Sequence, residues 1–360
     1  MSNEFETLVP VIDISSWVLG DAAARDNVAA AVDRACRTVG FMQITGHGLP
    51  DSTVAALMNA IDSVFALDAE VKARYQAPRP SVNRGYAPPK SERLSYSLGV
   101  DSPADMFEAF NVGVTLDAPA GIDPDMYPDN IWPDPAASPN FEADTQCWLD
   151  AVGGLARTMT SIFAHALGVG SGFFESRTDR SIDVLRMVNY VIPEGETLER
   201  GQLGMGAHTD YGIVTILWAD AVPGLEILGP DGEWQSVTPQ PGALLINLGD
   251  LLARWTNDQY RSTMHRVVPP ADADGRSIRR RSAAFFHDGN ADAVVSTLRT
   301  CRDNSGGSPY DDVTVAEHLA QKLRGSRGLE LNQHAGREAA RIETSVRNWP
   351  IGGKNPPKVT

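Results

Sequence analysis

The 360-residue sequence is short of cysteine, of positive charge and of long apolar runs. Only Cys36, Cys147 and Cys301 occur, far apart and with no CxxC pair. That excludes a disulfide framework and a thiolate metal site, and it suits a reducing compartment. Lys and Arg number 31 against 46 Asp and Glu, a formal net charge of −15. Polyanion binding needs a basic footprint, so neither nucleic acid nor an anionic membrane surface is an expected partner. No apolar stretch approaches the ~20 residues that span a bilayer. The opening "MSNEFETLVPVIDISSW" has neither a charged n-region nor a continuous apolar h-region, so no signal peptide and a cytoplasmic location are expected. What is present is ordinary for a globular chain with one large core: 42% hydrophobic and 21% charged residues.

Residues 1–182 read as mainly helical. "DAAARDNVAAAVDRACRTVG" places Val28, Val32, Ala35 and Val39 at helical spacing, with Gly40 as a C-terminal stop. "GFMQITGHGLP" reads as a short strand running into a glycine-framed turn. "DSTVAALMNAIDSVFALDAEVKARY" opens on an Asp-Ser capping signal and keeps Val54, Leu57, Met58, Ile61 and Phe65 on one stripe. Prolines 119, 124, 128, 133, 135 and 139 predict a long irregular connection over 112–140, and helix returns over 141–168. From 183 to about 300 the texture turns to short strands: "DVLRMVNYVIP", "GAHTDYGIVTILW", "GLEILGP", "EWQSVTP", "GALLINLGD", "TMHRVVPP" and "RRSAAFFHD". Strands at this spacing, with turns such as Asp231-Gly232, indicate a sandwich or barrel. Residues 301–360 should hold one helix, "TVAEHLAQKLRG", and a loose tail, "NWPIGGKNPPKVT". No internal repeat shows, and the whole chain reads as one domain.

Residues 206–216, "GAHTDYGIVTI", put a histidine and an aspartate one residue apart in a strand-like run. Alternate residues of a strand share a face and advance only ~6.6 Å, so His208 and Asp210 could converge on one ion. An isolated HxD is common at polar strand ends, so the weight falls on a third group. His265 lies 57 residues beyond His208, in "RSTMHRVVPP", after about three intervening strands. A sheet that doubles back would set it beside the first pair. Two imidazoles and one carboxylate leave the opposite side of an ion open, as non-haem Fe(II) oxygenases require. The same donors also suit zinc. A dianionic co-substrate on such an ion needs a cation for its distal carboxylate. In "IRRRSAAFF", Arg280 and Ser282 stand at i and i+2 on one strand face, with Arg279 and Arg281 on the other.

With these residues in place, the sequence resembles the 2-oxoglutarate-dependent dioxygenases of the isopenicillin N synthase-like type. "HTDYGIVTIL" is similar to that family's HxDxGxxTxL, and "RRSAAFF" carries its RxS followed by FF. "PGLEILGPDGEWQSVTPQPGALLINLGDLLARWTNDQYRSTMHRVV" follows its PGL…W…PG…N.GD…TN…S..HRV pattern. "VPVIDIS", "GFMQITGHGLP", "NRGYAP" and "NIWP" are similar to its N-terminal segments, and the likeness spans roughly residues 8–325. The resemblance implies a double-stranded β-helix, or jelly roll, flanked by helices, with the metal between its sheets. It also implies a single catalytic domain: a helical part over 1–182, a jelly-roll core over 183–300, and a C-terminal helix and tail over 301–360. Carried over by position, it implies His208, Asp210 and His265 as iron ligands and Arg280 and Ser282 as partners of 2-oxoglutarate. Tyr190 occupies the place of a further co-substrate contact, with Tyr190-Val191 where the family has Tyr-Pro. The implied reaction consumes 2-oxoglutarate and O₂, releases succinate and CO₂, and hydroxylates, desaturates or cyclises a small molecule. Arg84 and Tyr86 in "NRGY", Phe107 and Phe110 in "DMFEAFNVG", and His287 are the candidates for the substrate cavity.

His47, His165 and Asp250 are expected to be structural. Four other readings stay open at this point: an oxidase of the same fold that dispenses with 2-oxoglutarate, an ethylene-forming variant, a zinc hydrolase, and a non-catalytic ligand-binding jelly roll. The oligomeric state is left open.

Overall fold

A computed structural model describes residues 8–192, 198–272, 276–302, 308–327 and 330–332. The expected C-terminal tail lies outside them. In chain order the strands are β1 (Val11–Asp13), β2 (Phe41–Thr45), β3 (Gly85–Ala87), β4 (Glu108–Gly113), β5 (Val184–Tyr190), β6 (Met205–His208), β7 (Val214–Ala219), β8 (Leu225–Leu228), β9 (Trp234–Ser236), β10 (Leu244–Leu248), β11 (His265–Val267) and β12 (Arg280–His287). The helices are α1 (Ser15–Leu19), α2 (Ala22–Thr38), α3 (Asp51–Phe65), α4 (Ala69–Ala73), α5 (Phe141–Ala166), α6 (Gly172–Thr178), α7 (Asp250–Trp255) and α8 (Val315–Ser326).

These twelve strands form two sheets, and a short antiparallel pair, Val294–Val295 with Val313–Thr314, stands apart from them. The larger runs β1-β2-β10-β7-β12-β5-β4-β3 and the smaller β6-β11-β8-β9. Their alternation of side chains builds a different core on each face of the large sheet. Val112, Leu185, Ile216, Ile246 and Phe285 point to one side, where they pack with Val32, Leu57, Val152 and Phe163 of α2, α3 and α5. Val188, Tyr190 and Leu245 point to the other, where they meet Leu225, Ile227 and Val267 of the small sheet. This is the expected jelly roll flanked by helices.

Several local expectations hold. α2 ends where its apolar spacing ends: Gly40 takes φ +67° and its N–H reaches Ala35 O at 2.9 Å. α8 begins with a capping box in which Thr314 and Glu317 satisfy each other's backbone N–H groups. Others need correction. The Asp-Ser signal before α3 caps nothing, because Pro50 is the N-cap and Asp51 already sits in the first turn. The same stretch breaks into α3 and α4 rather than running on. The mainly helical N-terminal part also supplies β1 to β4, half of the large sheet.

The largest correction concerns "GAHTDYGIVTI", which is not one strand. β6 closes at His208 in the small sheet, β7 opens at Val214 in the large one, and residues 209–213 cross between them. The crossing is fastened to the start of α7: Asp250 N–H donates to Asp210 O at 2.8 Å and Gly249 N–H to Ile213 O at 3.0 Å. A Cβ on Gly249 would lie 2.1 Å from Gly212 O, so only glycine lets these backbones approach. The split places four strands, not three, between the two histidines.

Candidate active site

β11 lies antiparallel to β6 with His265 directly opposite His208. Asp210, just beyond β6, turns back toward both rings. One ligand atom from each of the three lies within 4.8 Å of the others, and all three residues are buried. Asp210 Oδ1 is 3.7 Å from His208 Nε2 and 3.6 Å from His265 Nε2. Convergence therefore comes from a change of sheet, not from two residues sharing one strand face.

The surroundings fix how these groups present themselves. His208 Nδ1 lies 2.8 Å from Gly206 O, and His265 Nδ1 lies 3.1 Å from Thr263 O. A carbonyl only accepts, so each Nδ1 carries the proton and each Nε2 offers a lone pair. Burial and the neighbouring His265 push the His208 pKa down to about 3, which keeps its ring neutral. Asp210 Oδ2 accepts from Asn247 Nδ2 at 2.6 Å and from the Thr215 hydroxyl, leaving Oδ1 to face the imidazoles. Two neutral nitrogens and one carboxylate oxygen, each backed by a hydrogen bond, fit a divalent ion. Among the described residues no other group of three His, Cys, Asp or Glu does so.

On β12, Arg280 pairs with Tyr190 of β5 and Ser282 with Val188. Arg280 and Ser282 line the cavity that holds the three ligands, and so does Tyr190. Arg280 is 1% exposed; its Nε–H reaches Val222 O at 3.2 Å, but Nη1 has no partner among the described residues. The guanidinium lies over the Tyr190 ring at 5.2 Å. A buried guanidinium with an unused N–H calls for an anion, and a carboxylate matches its geometry. Arg279 and Arg281 reach the far face and bind Asp62 at 2.7 and 2.8 Å, as the alternation requires.

This geometry has close counterparts. Residues 9–135 match the N-terminal family model of the non-haem dioxygenase in morphine synthesis, and residues 182–289 match the 2OG-Fe(II) oxygenase superfamily. A 2-oxoglutarate-Fe(II) type oxidoreductase, hxnY, of Emericella nidulans is 32% identical over 89% of this chain and 91% of its own. The chain belongs to the 2-oxoglutarate/Fe(II) oxygenase superfamily. A homoarginine-6-hydroxylase of Oryza sativa subsp. japonica is 33% identical, over 90% of this chain and 98% of that one. The crystal structure of full-length Neurospora crassa T7H in complex with alpha-KG superposes with a TM-score of 0.78 at 27% identity, covering 89% of this chain and 98% of that one. This oxygenase is an oxidoreductase that uses Fe(II), 2-oxoglutarate and O₂. It couples decarboxylation of 2-oxoglutarate to oxidation of a small molecule. Among the described residues, no helix is long and apolar enough to cross a membrane.

The remaining candidates divide sharply. Arg84 lines the oxygenase cavity, but Tyr86, Phe107, Phe110 and His287 do not. Tyr86 donates to Glu108 Oε2 at 2.7 Å in a buried network with Lys72. Phe107 sits one layer back, edge-on to Tyr190 at 6.2 Å and under the Arg186 guanidinium. Phe110 packs on Phe141 at 5.0 Å in the helix-side core. His287 falls on the opposite face of β12 from Ser282, and its Nδ1 meets Asp183 at 2.9 Å. Strand parity is the reason for Tyr86, Phe110 and His287, whose neighbours Asn111, Phe286 and Asp288 take the inward positions. Sequence reasoning missed Thr215 and Asn247 as holders of Asp210. It also missed Arg186, Glu92 and Arg327 in the cavity wall. Thr215 and Asn247 carried a signal in the quoted motifs, but no pattern there linked either to Asp210. The expected structural residues fall outside the site: His47 meets Gly242 O at 3.0 Å, and His165 pairs with Asp26 at 2.7 Å. Asp250 does more than shape a turn, since it is fully buried in a 2.8 Å ion pair with Lys322.

Proposed function

We propose that His208, Asp210 and His265 hold the Fe(II), and that Arg280, Ser282 and Tyr190 receive 2-oxoglutarate. The observation that carries this is the approach of two imidazole Nε2 atoms to one oxygen of Asp210, with both Nδ1 protons committed to backbone carbonyls. Fe(II) bound there supplies the redox chemistry that couples O₂ and 2-oxoglutarate to oxidation of the substrate. The chain's own groups bind and orient. Arg280 offers its unpartnered Nη1 to the distal carboxylate of 2-oxoglutarate, and the Ser282 hydroxyl adds a donor beside it. Tyr190 forms the floor under that guanidinium, and burial pushes its phenol pKa up, so it stays a neutral donor. Phe41, Leu217, Leu225 and Val267 surround the centre with apolar surface and exclude water.

Hydroxylation is the outcome we favour, since it needs no second substrate group poised to react. A small-molecule substrate, no nucleic-acid or membrane partner, and a cytoplasmic location fit the acidic surface and the free thiols of Cys36, Cys147 and Cys301. Anaerobic titration should give one Fe(II) site per chain, lost in His208→Ala without change in circular dichroism. Succinate release from 2-oxoglutarate should require O₂. Fe(II) retained by His208→Ala overturns the ligand assignment, and substrate turnover under strict anaerobiosis, without succinate, overturns the oxygenase reading in favour of a hydrolytic metal.

A further inference from the structure

One wall of the cavity carries a cation that no carboxylate among the described residues neutralises. Arg84 is 2% exposed, donates from Nη1 to Asn83 O at 2.9 Å, and has no partner for Nε. Burial, with help from Arg327, pushes its pKa down to about 10. Arg280 is assigned to 2-oxoglutarate, and the other charged groups lining the cavity are accounted for. Glu92 is shared by Arg186 at 2.8 Å and Arg327 at 3.4 Å. Asp125 is bound by Arg79 and Ser81. Asp210 belongs to the metal cluster, and Asp288 packs against Gly212 at that same end. In a chain of net charge −15, a buried guanidinium without a carboxylate partner calls for an anion.

The sheet register gives its place. Asn247, Thr215, Phe286, Val184 and Gly113 form one row across β10, β7, β12, β5 and β4. Asn247 and Thr215 hold Asp210 at one end of that row. The Arg84 guanidinium lies on Gly113 at the other: a Cβ there would stand 1.9 Å from Nη2 and 2.0 Å from Cζ. Three strand spacings from β7 to β4 come to about 14 Å. Ile182, Val184, Phe286, Leu319 and Leu323 line the cavity as well, and all are apolar.

We propose that the primary substrate is a monocarboxylate with an apolar body, its carboxylate docked on Arg84 and its oxidised carbon held at the metal end. A guanidinium edge matches a carboxylate in charge and shape, and the apolar lining suits the body between. This rests on the reading of His208, Asp210 and His265 as the iron site.

The test is calorimetric titration of the anaerobic Fe(II)/2-oxoglutarate complex. The probes are C6–C12 aliphatic and aryl carboxylates such as octanoate and 4-phenylbutanoate, their primary amides, and octyl phosphate. Carboxylates should bind about 10- to 100-fold more tightly than their amides, the worth of a hydrogen-bonded charge pair. Arg84→Gln should abolish that preference while 2-oxoglutarate still binds as in the parent. Gly113→Val, which evicts the guanidinium but keeps the arginine, should do the same and serves if Arg84→Gln melts early. No carboxylate preferred over its amide, a preference that survives both variants, or tighter binding of octyl phosphate overturns the proposal. Failure of the iron-site reading would look different: the parent protein would bind no 2-oxoglutarate.

Discussion

Asn247 offers the most direct test of how the carboxylate at the metal is aimed. Its Nδ2 donates to Asp210 Oδ2 at 2.6 Å, and the Thr215 hydroxyl donates to the same oxygen. The two donors sit opposite each other on β10 and β7, so the sheet itself sets the carboxylate's rotation. Asn247→Leu keeps the volume and removes one donor. A hydrogen bond to an ionised acceptor contributes ~1.5–3 kcal/mol, equivalent to roughly a 10- to 150-fold loss of Fe(II) affinity. Outer partners of metal ligands elsewhere are worth about 10- to 100-fold, so the two routes agree. Thr215→Val should give a comparable loss. The double variant should exceed the sum of the two single losses, because in each single variant the remaining donor still partly restrains the oxygen. The assay is anaerobic competition of Fe(II) against a chelator, with thermal melting of the metal-free protein alongside. Fe(II) affinity within about twofold of the parent in both single variants, with unchanged melting, would refute the reasoning.

Three further outcomes follow from the same geometry. Arg280→Gln should weaken 2-oxoglutarate binding about 10- to 100-fold and leave Fe(II) binding without co-substrate intact; calorimetry separates the two, and equal losses of both would count against the assignment. Lys322→Met strands the buried Asp250 carboxylate, which also accepts from Thr209 and Ser262. That should cost about 3–5 kcal/mol of stability, part of which Asp250→Asn in the same chain restores; a melting temperature indifferent to Lys322→Met rejects this. Asp105 accepts N–H groups of Leu94 and Gly206 at 2.8 Å each, and burial pushes its pKa up to about 7. Because the folded value exceeds the unfolded one near 3.9, its stabilising effect is complete below the unfolded value and is lost as pH rises through about 7. Asp105→Asn, locked neutral, should therefore gain on the parent between about pH 4 and 8; a gap independent of pH would sink the burial argument.

The legible part of this protein was the part written in short-range spacing. The helix stop at Gly40, the capping box at Thr314 and the inward Arg280–Ser282 pair each depend on residues a few positions apart. So do Arg279, just before β12, and Arg281 within it, both facing away. His208, Asp210 and His265 were legible as a set because few chemistries need those three types together. Tyr86, Phe110 and His287 were candidates by their place in family-like segments or on the Arg280 strand, yet they face the core or its networks, because a one-residue difference reverses a side chain's face.

Taken alone, the sequence determined most element types and singled out candidate donors for a metal and a candidate cation for a keto acid, because propensity, capping and ligand chemistry are local properties of residues. Only the tertiary structure decided how those donors meet. His208 closes a strand of one sheet, Asp210 lies on the crossing to the other, and Asn247 and Thr215 aim its carboxylate from strands 30 residues apart and more. It also decided that Arg84 lies unpaired on Gly113 at the far end of the same row. Register between distant strands is fixed by burial of whole sheet faces, and no local window contains it.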